Sequence, residues 1–301
     1  MILKEVVGGN LMGLKGWSCT TPATVVTIPV DSPVLDFCDC DNDCGYSELA
    51  FVNADDETDE FRNDYKNIII ELLDTDSSHE FFLVDASGVE YPLIDSTYGE
   101  TFEDGLRVGY KLSWFKVFAL LGGGKYLIRV NQTDFSNTVT TDSHDFNLMK
   151  YSDIAANDTV KIETIQRGES LKGFDYSGLE WINMVRLVAH FGNEKHISEI
   201  ERTKDSNYVD YDIQTSIEYT YTLDTNLLPS FIADVILNSN ILTDEIFITN
   251  YDVYAYRKYL KIPVVFNSKA DSSEDFKKSN KKHFSIEFKD NSQNINRNFT
   301  V

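Results

Sequence analysis

Basic residues, proline, cysteine and long apolar runs are all scarce in this chain, and each shortage excludes something. Lys and Arg number 27 against 49 Asp and Glu, giving a formal net charge of −22 with His neutral. Such a surface repels phosphate backbones and anionic membranes, so direct nucleic-acid sequence recognition is not expected. No apolar run approaches the roughly 20 residues of a membrane-spanning helix, so membrane insertion is not expected either. The opening stretch "MILKEVVGGNLMGLKG" lacks the apolar centre of a secretory signal, which predicts synthesis in a cytoplasm. Four cysteines in 301 residues are too few for a disulfide framework.

Catalytic signatures are missing as well. "LGGGKY", Leu121 to Tyr126, lacks the spacing of a phosphate loop and has Tyr126 where Ser or Thr should reach Mg²⁺. A helix cap followed by a turn fits it better. "HFGNEKH", His190 to His196, is no zinc-protease helix and reads as a strand end with a turn. No Ser, Cys or Lys carries a nucleophile motif, and acids are so widespread that no carboxylate pair stands out. No catalytic residue and no cofactor is therefore expected.

One cluster does invite a metal. "LDFCDCDNDCGY" holds Cys38, Cys40 and Cys44 among four aspartates, and Cys19 precedes it. Four thiolates satisfy tetrahedral zinc. The spacing departs from the C-x2-C knuckle, however, and as a calcium loop the segment has Cys44 where Gly and Ala50 where Glu belong. The readings left open are structural zinc on Cys19, Cys38, Cys40 and Cys44, or a turn with reduced or disulfide-linked sulfurs. Neither leaves a coordination position for a substrate.

What is abundant is strand material. Hydrophobic residues make up 42% and aromatics 13%, with 16 Tyr and 19 Phe. These are side chains that suit a pleated, half-buried surface. "KNIIIELLD", "HEFFLVDASGVEYPL", "GLRVGYKL" and "GGGKYLIRVNQT" read as strands separated by turn residues, with "SWFKVFALL" a short helix among them. "DTVKIETI", "MVRLVAHFG", "DEIFITNYD", "YAYRKYLKIPVVF" and "KKHFSIEFKD" continue the pattern. In "VDYDIQTSIEYTYTL" every second residue from Val209 to Leu223 is apolar, aromatic or Thr, with polar residues between, over 15 positions. At ~3.3 Å per residue this strand would run roughly 50 Å, far beyond the usual length. It must bend across two sheets or project as an arm.

The expected fold is mainly β: two antiparallel β-sandwich or barrel-like domains, a few short helices, and one unusually long strand or hairpin arm. A lead-in covers 1–19. The first domain covers 20–145 and carries the Cys/Asp loop at 36–46. The second covers 146–301, with the long strand at 209–223 and a helix at about 228–239, where Pro229 suits a first turn and Phe231, Ile232, Val235 and Ile236 form one apolar face.

Several segments in order carry a resemblance: "TTPATVVTIPV", "YGETFEDGLRVGYKLSWFKVFALLGGGKYLIRV", "FDYSGLEWINMVRLVAHFG", "LDTNLLPSFIADVILNSNILTDEIFITNYD" and "FSIEFKDNSQNINRNF". Over most of residues 18–299 the chain resembles virion structural proteins of tailed bacteriophages and prophages of Bacteroidota. The shared motifs are turns, strand edges and packing Trp, and no catalytic residue carries over. The Cys-rich loop departs from the pattern, so no metal carries over. The resemblance implies a non-enzymatic ring subunit of neck, tail or baseplate, located in the virion and made in a host cytoplasm. Its partners would be further copies of itself and other neck or tail proteins. A receptor- or glycan-binding module at the virion tip is the alternative, and a tail-associated cell-wall hydrolase the third.

Overall fold

The structure is a computed structural model that describes residues 47–72, 77–94, 96–105, 107–134, 137–168, 175–204, 210–226, 228–229, 236, 243–251, 259–274, 281–292 and 295–298. The chain is mainly β with several antiparallel sheets, as expected. The Cys/Asp loop, with Cys19, Cys38, Cys40 and Cys44, lies outside the described residues.

The first half is a sandwich. Its larger sheet holds β1 (Ser47–Val52), β9 (Asp145–Lys150), β7 (Gly124–Asp134), β3 (Ser78–Asp85) and β4 (Glu90–Pro92) in that order, with β8 (Asn137–Asp142) on the far part of β7. Only β1 and β9 run parallel in this sheet. The smaller sheet is β2 (Tyr65–Glu71), β6 (Arg107–Ser113) and β5 (Gly99–Asp104). Alternate residues of both sheets face each other: Ile68, Ile70, Tyr110 and Leu112 on one side meet Leu83, Ile128, Phe146 and Leu148 on the other. α1 (Trp114–Leu121) plugs the sandwich with Trp114 and Val117. Ser113 caps its first turn by accepting the Lys116 N–H, and Gly122, at φ 88°, ends it. The glycines of "LGGGKY" thus make a helix stop and a strand start.

α2 (Asp153–Ala156) leads into the second half. The chain changes sheets between Lys150 and Thr159, so β9, at the junction of the two expected halves, belongs to the sandwich. Here β10 (Thr159–Gln166), β11 (Trp181–Lys204), β12 (Asp210–Thr225), β16 (Lys281–Asp290), β15 (Ile262–Glu274) and β14 (Glu245–Asn250) pair in sequence, and β14 returns to β10. Six strands therefore close a barrel. Its interior is filled by Val160, Ile162, Leu187, Phe191, Leu223, Ile286 and Phe288. Closure removes the edges of these strands where they form the wall.

Two expectations need correction. Leu228–Pro229 form a short strand, β13, against Lys281 and Lys282, so the helix expected from 228 does not begin there. A paired backbone at these residues cannot also start a helix. Ile236, helical and buried, is the one residue of the remaining 230–239 among the described ones. Second, "HFGNEKH" is neither a strand end nor a turn: β11 continues through it to Lys204, 24 residues in all. The extra residue between Gly192 and Lys195 is absorbed as a bulge against β12.

The long alternating segment is a strand as expected, Asp210–Thr225, 16 residues. Its base, with Tyr221 and Leu223 buried, is part of the barrel wall. Its outer part pairs with β11 on one side and with β17 (Ile295–Asn298) on the other. Lys195, His196, Ile197 and Ser198 are consecutive and all exposed, so both faces of this part of β11 meet solvent. The barrel wall therefore continues outward as an arm.

Candidate functional site

Two features stand out from the packing: an ionic seam where sandwich and barrel meet, and the open side of the arm.

The seam comes from charged residues placed at inward positions of otherwise apolar strands. Lys66 shares a face of β2 with Ile68 and Ile70. Lys161 and Arg186 are neighbours on β10 and β11. Each is 1% exposed or less. Arg186 holds Asp64 through two parallel bonds, Nε to Oδ2 and Nη2 to Oδ1, both 2.7 Å, and gives a third to Thr159 Oγ1. Its guanidinium lies between the rings of Phe51 and Tyr251, 4.8 and 4.5 Å from their centroids. This fork geometry is what makes Arg suited to a desolvated ion pair. Lys66 donates to both Glu48 oxygens, at 3.1 and 2.9 Å, and to the Met184 carbonyl at 2.9 Å, which uses all three of its donors. Glu48 also accepts the Arg186 backbone N–H and bonds His144 Nε2 at 3.1 Å. Lys161 donates to the carbonyls of Glu60 and Phe61. Tyr65 donates to Glu163, and Asn67 to the Ile182 carbonyl.

Burial lowers the His144 ring below its ordinary value, so it sits in the seam as the neutral imidazole. Burial also works to raise Glu48, yet Lys66 and the His144 bond outweigh it and leave the carboxyl below its ordinary range. Lys161 is lowered by burial. Glu48, Asp64 and Glu163 thus face Lys66, Lys161 and Arg186, three charges of each sign. The cost of desolvating such charges offsets much of their attraction, so the seam is weak evidence for added stability, while removing one partner leaves a buried charge uncompensated. The nearby groove, lined by Tyr65, Asn67, Lys111, Ser113, Glu180 and Ile182, is open and only about 250 Å³.

The second feature is an edge. β10 covers β11 only as far as Val188. Beyond it, among the described residues, no strand pairs with that side of β11, while the opposite side is held by β12 to Lys204. Ile197 and Ile200 are 43% and 46% exposed on this stretch. The outer side of β5 is likewise without a paired strand among the described residues, and its Glu100, Glu103 and Asp104 are exposed.

The residues singled out in the sequence fall elsewhere. His190 and His196 lie along β11, where His196 pairs with Glu194 at 2.7 Å and packs on Tyr219. Among the described residues, no three His, Cys, Asp or Glu side chains are grouped to hold a metal. Tyr221 and Tyr251 are buried, one bonded to Asp290 in the barrel and the other to the Phe61 carbonyl across the seam. Sequence reasoning missed the seam. Its signal was a single cation flanked by β-branched or aliphatic residues, as in "TVKIETI" and "MVRLV". No protein-family model matches the chain, and no curated protein matches it. Among the described residues, no helix is long and apolar enough to cross a membrane.

Proposed function

We propose that this protein is a non-enzymatic structural subunit of a tailed-bacteriophage virion, assembling with copies of itself into a ring of the neck, tail or baseplate. The observation that supports this reading most is the arm. A closed barrel needs no partner for its edges, yet β11 and β12 run on beyond it, and among the described residues no strand covers the outer side of β11. A long uncovered strand edge is a template for pairing with another chain wherever charge does not ward that chain off. A second, separate side of β5, unpaired among the described residues, offers a further surface for contacts around the ring. The seam's buried bonds, Asp64 to Arg186 and Lys66 to the Met184 carbonyl, tie sandwich to barrel, as a ring of defined diameter would need. The net charge of −22 would let DNA slide through an acidic lumen by like-charge repulsion.

Light scattering of the purified protein, with its position in a virion reconstruction, tests the proposal. The expected mass is a multiple of 34.3 kDa with interfaces above ~1,000 Å² per contact. A monomer in solution that is also absent from the particle would refute it. Zymograms against host cell walls should show no clearing, and a clearing zone abolished by one carboxylate substitution would put the hydrolase reading first.

A further inference from the structure

We infer that the open edge of β11 pairs with the same edge of a second copy, antiparallel, over Lys195–Glu201, about a two-fold axis at Ser198. This deepens the assembly reading by naming the partner and symmetry of one contact. In a ring it would join subunits of two rings face to face, since a two-fold contact closes at two copies.

The register follows from two independent observations. First, the ladder between β11 and β12 breaks between Gly192 and Lys195 and again between Glu201 and Arg202. The regular run between the breaks is Lys195–Glu201, and its midpoint is Ser198. A two-fold axis relating neighbouring antiparallel strands stands perpendicular to the sheet and sends each face to itself. It must therefore pass beside a residue opposite its own copy. Full overlap of the regular run, which makes the most backbone hydrogen bonds, is reached only with Ser198 at that position.

Second, the charges are ordered to suit that register. Lys195 falls opposite Glu201 of the second copy, and Glu201 opposite its Lys195; both side chains are exposed. Ile197 lies diagonal to its own copy, within reach across the dyad. Pairing would cover Ile197 on one face and Ile200 on the other, both open to solvent in the single chain. Charged side chains on an edge ordinarily ward off other strands. Here the same charges repel an unrelated edge and attract a copy of their own.

Sedimentation velocity on the full chain at ~0.15 M salt, where the shared net charge is largely screened, comparing wild type with Lys195→Glu, Glu201→Lys and the double swap, tests the inference. Each single swap sets like charges opposite each other twice. It should halve the mass of the wild-type species or weaken its association at least about tenfold. The double swap restores opposite charges and should restore association to within about threefold. Circular dichroism checks that each variant keeps its fold, which these exposed positions favour. A wild type that stays monomeric, or a mass unchanged across all four proteins, overturns the inference. A ring unaffected by the swaps would leave the ring reading standing without it. A plain dimer lost in both single swaps would support the edge contact while removing the ring.

Discussion

At the scale of single residues, the seam is where this sequence takes its largest risks. Asp64 is bound to Arg186 by two charge-assisted bonds and also accepts the Phe51 N–H at 2.8 Å. Asp64→Ala would leave a guanidinium desolvated between two rings with no anion, and should cost about 3–5 kcal/mol in urea unfolding. The seam also sets an acid limit. His144 takes a proton less readily folded than its ordinary value of 6.5, because burial penalises the cation. Its contribution is complete above pH 6.5 and lost as the pH falls from there through the folded value. Glu48 adds the same sign lower down: its stability is present above 4.5 and lost below, as the carboxylate that holds Lys66 is protonated. Stability should therefore decline from pH 6.5 downwards. In His144→Gln the slope between pH 6.5 and 5 should shrink, the remainder tracing to His79, which burial also lowers. An unchanged slope would mean that His144 is already charged in the fold.

At the scale of elements, legibility followed burial. Strands with one face on a core and one in water, such as β12 at its base, showed their period directly. "HEFFLVDASGVEYPL" gave β3 and β4, joined by a turn in which Gly88 takes φ 80°. The outer half of β11 was missed because "KHIS" within it meets solvent on both faces, so there is no core for a period-two pattern to report. The seam was missed for the opposite reason. Its strands are buried on both sides, and an inward Lys looks the same in sequence as an outward one until the second domain is placed. The uneven burial of β12 gives a graded prediction. Leu223, fully buried among barrel residues, should cost about 2–5 kcal/mol on truncation to Ala. Ile217, half-buried beside β17 in the arm, should cost less than about 1 kcal/mol. Equal costs would mean that the arm is packed as tightly as the barrel.

At the scale of the whole molecule, charge opposes the proposed assembly. Two bodies of −22 each, treated as points about 45 Å apart in water, repel by on the order of 40 kcal/mol before screening. A cross-strand ion pair returns only about 0.2–1 kcal/mol, so local pairs cannot offset that repulsion unaided. Salt decides the balance, because the Debye length falls from about 30 Å at 0.01 M to about 8 Å at 0.15 M. That change removes most of the long-range repulsion while leaving a contact at hydrogen-bond distance largely intact. Association should therefore strengthen as ionic strength rises from ~0.01 to ~0.15 M, the reverse of a contact held by opposite net charges. Sedimentation velocity at constant protein concentration across that range reads the effect directly. Association that weakens steadily from the lowest salt would show that opposite charges at the contacts, and not the shared −22, dominate the encounter, and the acidic surface would then need a different role from spacing the copies and repelling DNA.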